Sequence, residues 1–260
     1  MTDTPPGRLL QRLITGPTLV SPALWLARVD STNAELARRA AQGAPHGLRV
    51  LADQQDAGRG RQGRRWQAPA GTSLMLSLLL RPPHGLEDVA LLPLLTGLTL
   101  VEACDALVPG ADLTLKWPND VLAAGRKCAG ILVEVPARGA VVVGVGVNVD
   151  WRGVRRPPEL SAAVSLSEGG HGAVRRWTLL PALIERFDQR YEEWCRQPRR
   201  FLPAYRERCD TLGRRVRVAQ AAGELVGTAT RVTDDGGMCV DAGGRLVTVH
   251  AGDVVHLRHR

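Results

Sequence analysis

Apolar positions along the chain change their spacing several times, and each change predicts an element. In residues 30–43 (DSTNAELARRAAQG) they recur at helical spacing. Thr32 and Glu35 stand at capping-box distance, and Gly43 sits where a glycine closes a helix. LRVLAD (48–53) and TSLMLSLLL (72–80) are short, strongly apolar runs that predict strands. Residues 86–108 are mostly apolar and long enough for a helix, with Pro93 near its first turns. LTLKWPNDVLAA, GRKCAGILVEV and AVVVGVGVNVD predict three successive strands joined by tight turns. Helical spacing returns at residues 178–197, with Pro181 tolerable in the first turn. Residues 1–29 read as a short lead-in and residues 151–158 as a Pro/Arg-rich loop.

From about Leu212 the pattern becomes short alternating runs (RRVRVAQ, ELVGTATRVT, MCVDA, RLVTVHA, DVVHLR) broken by AAGE, DDGG and AGG, with no helix signal in the last 49 residues. The expected fold class is α+β. A mixed β-sheet domain with flanking helices spans residues 1–209, and a small all-β domain spans residues 210–260.

Composition narrows this picture. At 260 residues and 44% hydrophobic content, the chain can bury a real core. No run approaches the ~18 apolar residues of a membrane helix, so no membrane partner is expected. The start, MTDTPPGRLLQRL, carries no apolar signal-peptide core. Five scattered cysteines without a C-x-x-C pair argue against a disulfide framework or a zinc site, and a cytoplasmic location is expected. The net charge of +8 points to anionic partners without choosing among them. More telling, only two of the 34 basic residues are lysines. Lys116 and Lys127 both fall within the twelve residues KWPNDVLAAGRK. A compact ammonium differs from a planar guanidinium, so this clustering favours a site that arginine cannot serve.

The segment GRGRQG (58–63) literally spells G-x-G-x-x-G. A dinucleotide-binding turn needs a helix opening in the loop and an acid roughly twenty positions on. Here Pro69 and Gly71 lead into a predicted strand, and the residue near that distance is Arg81. No H-R-D or D-F-G follows, which excludes a kinase. What remains is a glycine loop carrying Arg59, Arg61, Arg64 and Arg65, with forks suited to carboxylate or phosphate. A solvated basic turn or a nucleic-acid patch is the plainer alternative.

AGRGRQGRRW (57–66), KWPNDVL (116–122), GRKCAGILVE (125–134) and GVGVNV (144–149), with DSTN (30–33) before them, together resemble the biotin protein ligase family. The resemblance runs from about residue 25 to the end. It implies the fold shared with class II aminoacyl-tRNA synthetases, followed by a small C-terminal barrel. It also implies a two-step activity: ATP and biotin give biotinyl-5′-adenylate, and an acceptor lysine then displaces AMP. ATP, Mg²⁺ and biotin are the implied ligands, and a biotin carboxyl carrier protein is the implied acceptor.

Carried over by the resemblance, Ser31, Thr32, Asn33 and Gln55 contact the ureido ring and neighbouring groups of biotin. Gly58, Arg59, Gly60 and Arg61 form the loop over biotin and the adenylate, and Gly130 lies against biotin through its backbone. Lys127 and Arg61 are the implied catalytic cations. Arg64, Trp66, Lys116, Asn119, Asp120 and Asn148 join them around ATP, with Asn148 at a phosphate and Asp120 at the metal.

Gln62 stands where many relatives have another Arg. Only 29 residues precede Asp30, too few for the helix-turn-helix module of some members, so no DNA partner is expected. A homodimer through edge strands stays open. Two rivals remain: a lipoate or octanoate ligase of similar core, and an Arg-rich nucleic-acid-binding protein. The second is weakened by the presence of only ten aromatic residues to stack bases.

Overall fold

The computed structural model describes residues 23–110, 112–137, 139–172, 174–220 and 223–257. The predicted lead-in therefore lies largely outside the described residues. Its last part is a strand, β1 (Ala23–Val29), which pairs in parallel with β2 (Arg49–Gln55). Between them α1 (Thr32–Ala41) crosses the sheet. Its N-cap is Ser31, whose Oγ accepts the Ala34 amide at 3.4 Å, one position earlier than the capping-box spacing indicated. Thr32 is occupied elsewhere, in the site described below.

The remaining strands of the large sheet are β3 (Ser73–Leu80), β4 (Leu113–Lys116), β5 (Asp120–Ala123), β6 (Arg126–Ala137) and β7 (Ala140–Asn148). The spatial order is β1-β2-β3-β7-β6-β5-β4, antiparallel from β2 onward. The run LTLKWPNDVLAA is thus two strands rather than the predicted one. Pro118 lacks a ladder donor, and the WPN turn reverses the chain so that Lys116 pairs with Asp120.

Alternation along the central strands sorts their side chains onto two faces. Leu74, Leu76, Leu78 and Leu80 of β3 and Val141, Val143, Val145 and Val147 of β7 enter the main core. That core is covered by α2 (Leu92–Leu107) and α3 (Arg176–Arg196). The opposite face is covered by α1, with Leu36 and Ala40 against Val50, Leu79 and Val142.

The expectation that no segment is apolar enough to cross a membrane fails at residues 89–107. Across 18 of these residues the mean hydropathy is 1.6, but the segment belongs to the core, with 67% of that stretch buried in the protein. Its threonines return their hydroxyls to the helix, Thr96 to Leu92 O and Thr99 to Thr96 O, so no polar group is left unpaired there. The helix starts six residues later than predicted, after a 3₁₀ turn at Val89–Leu91. α3 begins at Arg176, which puts Pro181 inside the helix and beyond the first turn. A short helix, α4 (Leu202–Arg208), gave no clear signal in the sequence.

Strands β8 (Arg215–Gln220), β9 (Gly223–Val232), β10 (Met238–Asp241), β11 (Leu246–Val249) and β12 (Asp253–His256) form a second, antiparallel sheet in the order β11-β10-β9-β8-β12. This sheet grips the WPN turn. Trp117 is buried, its indole N–H donates to Gly236 O at 2.9 Å, and its amide donates to Thr211 Oγ1 at 3.0 Å. Thr211 Oγ1 in turn lies 3.1 Å from His256 Nε2, and His256 Nδ1 lies 3.5 Å from Asp210.

Burial and the charge of Lys116 push the His256 pKa down from 6.5 to about 4. The folded protein therefore resists a proton that the unfolded chain accepts. Stability from this site is full above pH 6.5 and is lost as pH falls toward 4. The expected loss is up to about 3 kcal/mol across that interval. Thermal melts against pH are expected to flatten there in His256→Gln; an unchanged profile would refute the assignment.

Candidate active site

Beside the start of α1, its face of the sheet stays open. The strand positions that would fill the space are Gly130 on β6 and Gly144 and Gly146 on β7, with Gly130 facing Gly146 and Leu132 facing Gly144 across the ladder. These glycines are required for space. A Cβ on Gly144 would lie 2.2 Å from Asn33 Oδ1, and one on Gly146 would lie 2.4 Å from the Trp66 ring. The resulting cavity is walled by the start of α1, the 58–66 loop, the WPND turn and the Gly252–Asp253 corner of the second sheet.

One end of the cavity is polar and uncharged. Ser31, Thr32 and Asn33 are buried, at 2–4% exposure, in the first turn of α1. Gln55 Oε1 accepts both the amide (2.7 Å) and the hydroxyl (3.0 Å) of Thr32. Ser77, fully buried on β3, donates to Asn33 Oδ1 at 2.6 Å and lies 2.8 Å from Thr32 Oγ1. The Asn33 amide N–H₂ points the other way, to Glu134 at 2.7 Å and to Leu132 O at 3.3 Å. Every side chain here is fixed by a partner, as a buried polar cluster requires.

The other end is cationic. The loop is folded back on itself: Gly60 N–H donates to Arg64 O, Trp66 N–H donates to Gly58 O, and Gln62 has φ of 55° between Arg61 and Gly63. A Cβ on Gly58 would sit 2.5 Å from Trp66 O, so this glycine is needed for the close return of the loop. Arg61 donates to Asn119 Oδ1 at 3.1 Å. Burial lowers its pKa against the opposing pull of Asp120 and Asp253, although a guanidinium stays charged. Arg64 is ion-paired with Asp253, which raises the arginine and holds the Asp253 carboxyl below its usual range.

Between the two ends, Lys127 Nζ lies 2.6 Å from Asp120 Oδ1 and 5.9 Å from the centre of the Trp66 ring. Trp66, Ile131, Leu132 and Val145 supply the apolar walls.

Of the residues singled out in the sequence, Ser31, Thr32, Asn33, Gln55, Arg59, Gly60, Arg61, Arg64, Trp66, Asn119, Asp120, Lys127 and Gly130 line this one cavity. Three do not. Gly58 shapes the loop from behind. Lys116 faces the second sheet, where its charge acts on Asp253 and His256. Asn148 is 2% exposed and donates to Val164 O at 3.1 Å, while its Oδ1 has no partner among the described residues.

Residues that the sequence did not single out are Gly144 and Gly146, which make the floor, Ser77 and Glu134, which hold Asn33, and Asp253, which reaches in from the second sheet. GVGVNV was the only local sign of the floor.

These features define a class, and the chain belongs to the biotin protein ligase family. Residues 25–150 match the model of the biotin/lipoate A/B protein ligase family, and residues 211–257 match that of the biotin protein ligase C-terminal domain. A biotin–[acetyl-CoA-carboxylase] ligase of Mycobacterium tuberculosis is 42% identical over 90% of this chain and 88% of its own. The bifunctional ligase/repressor BirA of Bacillus spizizenii is 30% identical over 87% and 71%, respectively. Among solved structures, the Aquifex aeolicus biotin protein ligase in complex with biotin and ATP superposes with a TM-score of 0.78 at 27% identity, covering 91% of this chain and 99% of that one.

Proposed function

We propose that this protein activates biotin with ATP and transfers it to a lysine of an acceptor, the biotin carboxyl carrier protein. The observation that carries the reading is the polarity gradient of the cavity. A neutral hydrogen-bonding end leads past apolar walls to a cluster of Lys127, Arg61 and Arg64. Biotin has the same order of groups: a ureido ring, an aliphatic chain and a carboxylate.

In the first step a carboxylate oxygen attacks the α-phosphorus of ATP. The bond to the bridging oxygen breaks, and pyrophosphate leaves with that electron pair. Two anions must meet for this, so the work of the residues is electrostatic. Lys127, beside Asp120, holds a compact positive charge between carboxylate and phosphoryl group, and Arg61 and Arg64 hold the phosphates. In the second step the neutral amine of the acceptor lysine attacks the acyl carbon, AMP leaves with its oxygen, and the surplus proton of the new amide nitrogen passes to solvent. The folded 58–66 loop keeps water from the mixed anhydride between the steps.

Magnesium belongs to the same reading. No group of three His, Cys, Asp or Glu exists among the described residues. The Asp120 carboxylate beside Asn119 instead suits an ion carried mainly by phosphate oxygens. Such an ion supplies further neutralisation of phosphate charge.

The polar end also weighs against lipoate, whose dithiolane offers no N–H or C=O to Thr32, Asn33 and Gln55. Part of the basic charge is engaged within the protein: among the described residues Arg28, Arg38, Arg152 and Arg196 are each paired with carboxylates. The reading places the protein in the cytoplasm, in keeping with its five free cysteines.

Incubating the protein with Mg-ATP, biotin and a biotin carboxyl carrier protein is expected to add one biotinyl group to one carrier lysine, read by intact and peptide mass. Biotin-dependent pyrophosphate release without any transfer would refute the acceptor.

A further inference from the structure

Glu134 lies on β6, next to the cavity but behind its lining, and one of its oxygens serves two masters. Oε2 accepts the Asn33 amide at 2.7 Å and Arg59 Nη2 at 3.0 Å. Asn33 is 4% exposed, and its other amide atom is closed off by Ser77, so its orientation is settled by Ser77 on one side and Glu134 on the other. Arg59 comes from the 58–66 loop, 75 positions away in sequence from Glu134. The loop is thereby tied to the same carboxylate that orients a wall of the polar end.

We infer that Glu134 is a positioning residue that couples the 58–66 loop to the biotin-recognising end of the site, so that loop closure and the orientation of Asn33 stabilise one another. This rests on the functional reading above for what the site binds, but the coupling itself is a property of the ligand-free chain. Oε2 serves both donors only when the loop is down. Lifting the loop leaves the carboxylate with Asn33 alone, and turning Asn33 leaves Arg59 with a half-solvated partner. Retention of the adenylate then depends on a residue that touches neither biotin nor nucleotide.

The test is a double-mutant cycle of Glu134→Gln and Arg59→Ala with two readouts. The first is hydrogen exchange of residues 57–66 in the ligand-free protein, where Gly60 and Trp66 amides are bonded within the loop. The second is the rate at which preformed adenylate escapes or hydrolyses. Gln keeps an acceptor for Asn33 and loses the charge that holds Arg59. Each single variant is expected to raise loop exchange and adenylate loss about fivefold, as befits a half-exposed charged pair. In loop exchange of the ligand-free protein the double variant is expected to do no more than either single, because both break one link. Effects that multiply, or a Glu134→Gln loop that exchanges like wild type, would overturn the coupling. Glu134→Ala, which also releases Asn33, is expected to weaken biotin binding further than Gln does; equal binding by the two would overturn the Asn33 half. If the protein formed no adenylate from biotin, the functional reading would fail, while the exchange cycle would still decide the coupling.

Discussion

Lys127→Ala is expected to lower biotin-dependent pyrophosphate release by about 10²–10³-fold, the usual effect of removing one preorganised group from a developing charge. The lysine stands at the junction of the cavity's two ends, 2.6 Å from Asp120 and over the Trp66 ring. Its loss removes a positive charge and leaves the Asp120 carboxylate facing the phosphates, so the two losses act in the same direction. Lys127→Met, which keeps the length of the stem, is expected to fall as far. Lys127→Arg retains charge but spreads it over a planar fork in place of a compact ammonium, so only partial recovery is expected. Biotin binding without ATP is expected to suffer less, because Ser31, Thr32, Asn33 and Gln55 hold the far end. A variant that turned over at the wild-type rate would remove Lys127 from the chemistry.

The second large effect is expected at a residue with no side chain. In Gly144→Ala the new methyl would sit 2.2 Å from Asn33 Oδ1, an atom already held by Ser77. Asn33 cannot move aside freely, since its amide is bound to Glu134 and Leu132. Overpacking of this kind costs about 1–3 kcal/mol. Here it falls on the biotin end, so a rise of roughly 10–100-fold in the KM for biotin is expected, with a smaller change for ATP. Calorimetric titration of biotin and steady-state kinetics would separate the two. Equal losses for both substrates would place the damage in the fold instead.

Much of this architecture could be read from one-dimensional pattern. The buried runs of β3 and β7, the closing hairpins and α1 announce themselves through period and turn residues, because each is specified within about ten positions. What escaped has identifiable causes. β1 is a half-buried edge strand, ALWLARV, whose exposed Ala27 and Arg28 blur its alternation. α4 has seven residues with a proline in its first turn, too few to show a period. The WPN turn was hidden because LTLK and DVLA flank it with uninterrupted β character.

The site divides in the same way. Its cationic loop and lysines are local signals, and thirteen of the singled-out residues meet in one cavity. Glu134, Ser77 and Asp253 become functional only through partners far away in sequence, as with Arg64 and Asp253, 189 positions apart. An acid on a strand looks like any solvated acid until the fold brings Asn33 and Arg59 to it. Asn148 shows the converse: the resemblance placed it at the nucleotide, and the fold buries it against Val164, outside the cavity lining.

The cavity takes biotin as the acid to be activated. Pyrophosphate release from Mg-ATP, measured with biotin, lipoate or octanoate in parallel, tests it most directly. Release that requires biotin and is absent with the other two acids is the predicted result; release supported by lipoate or octanoate and not by biotin would contradict it.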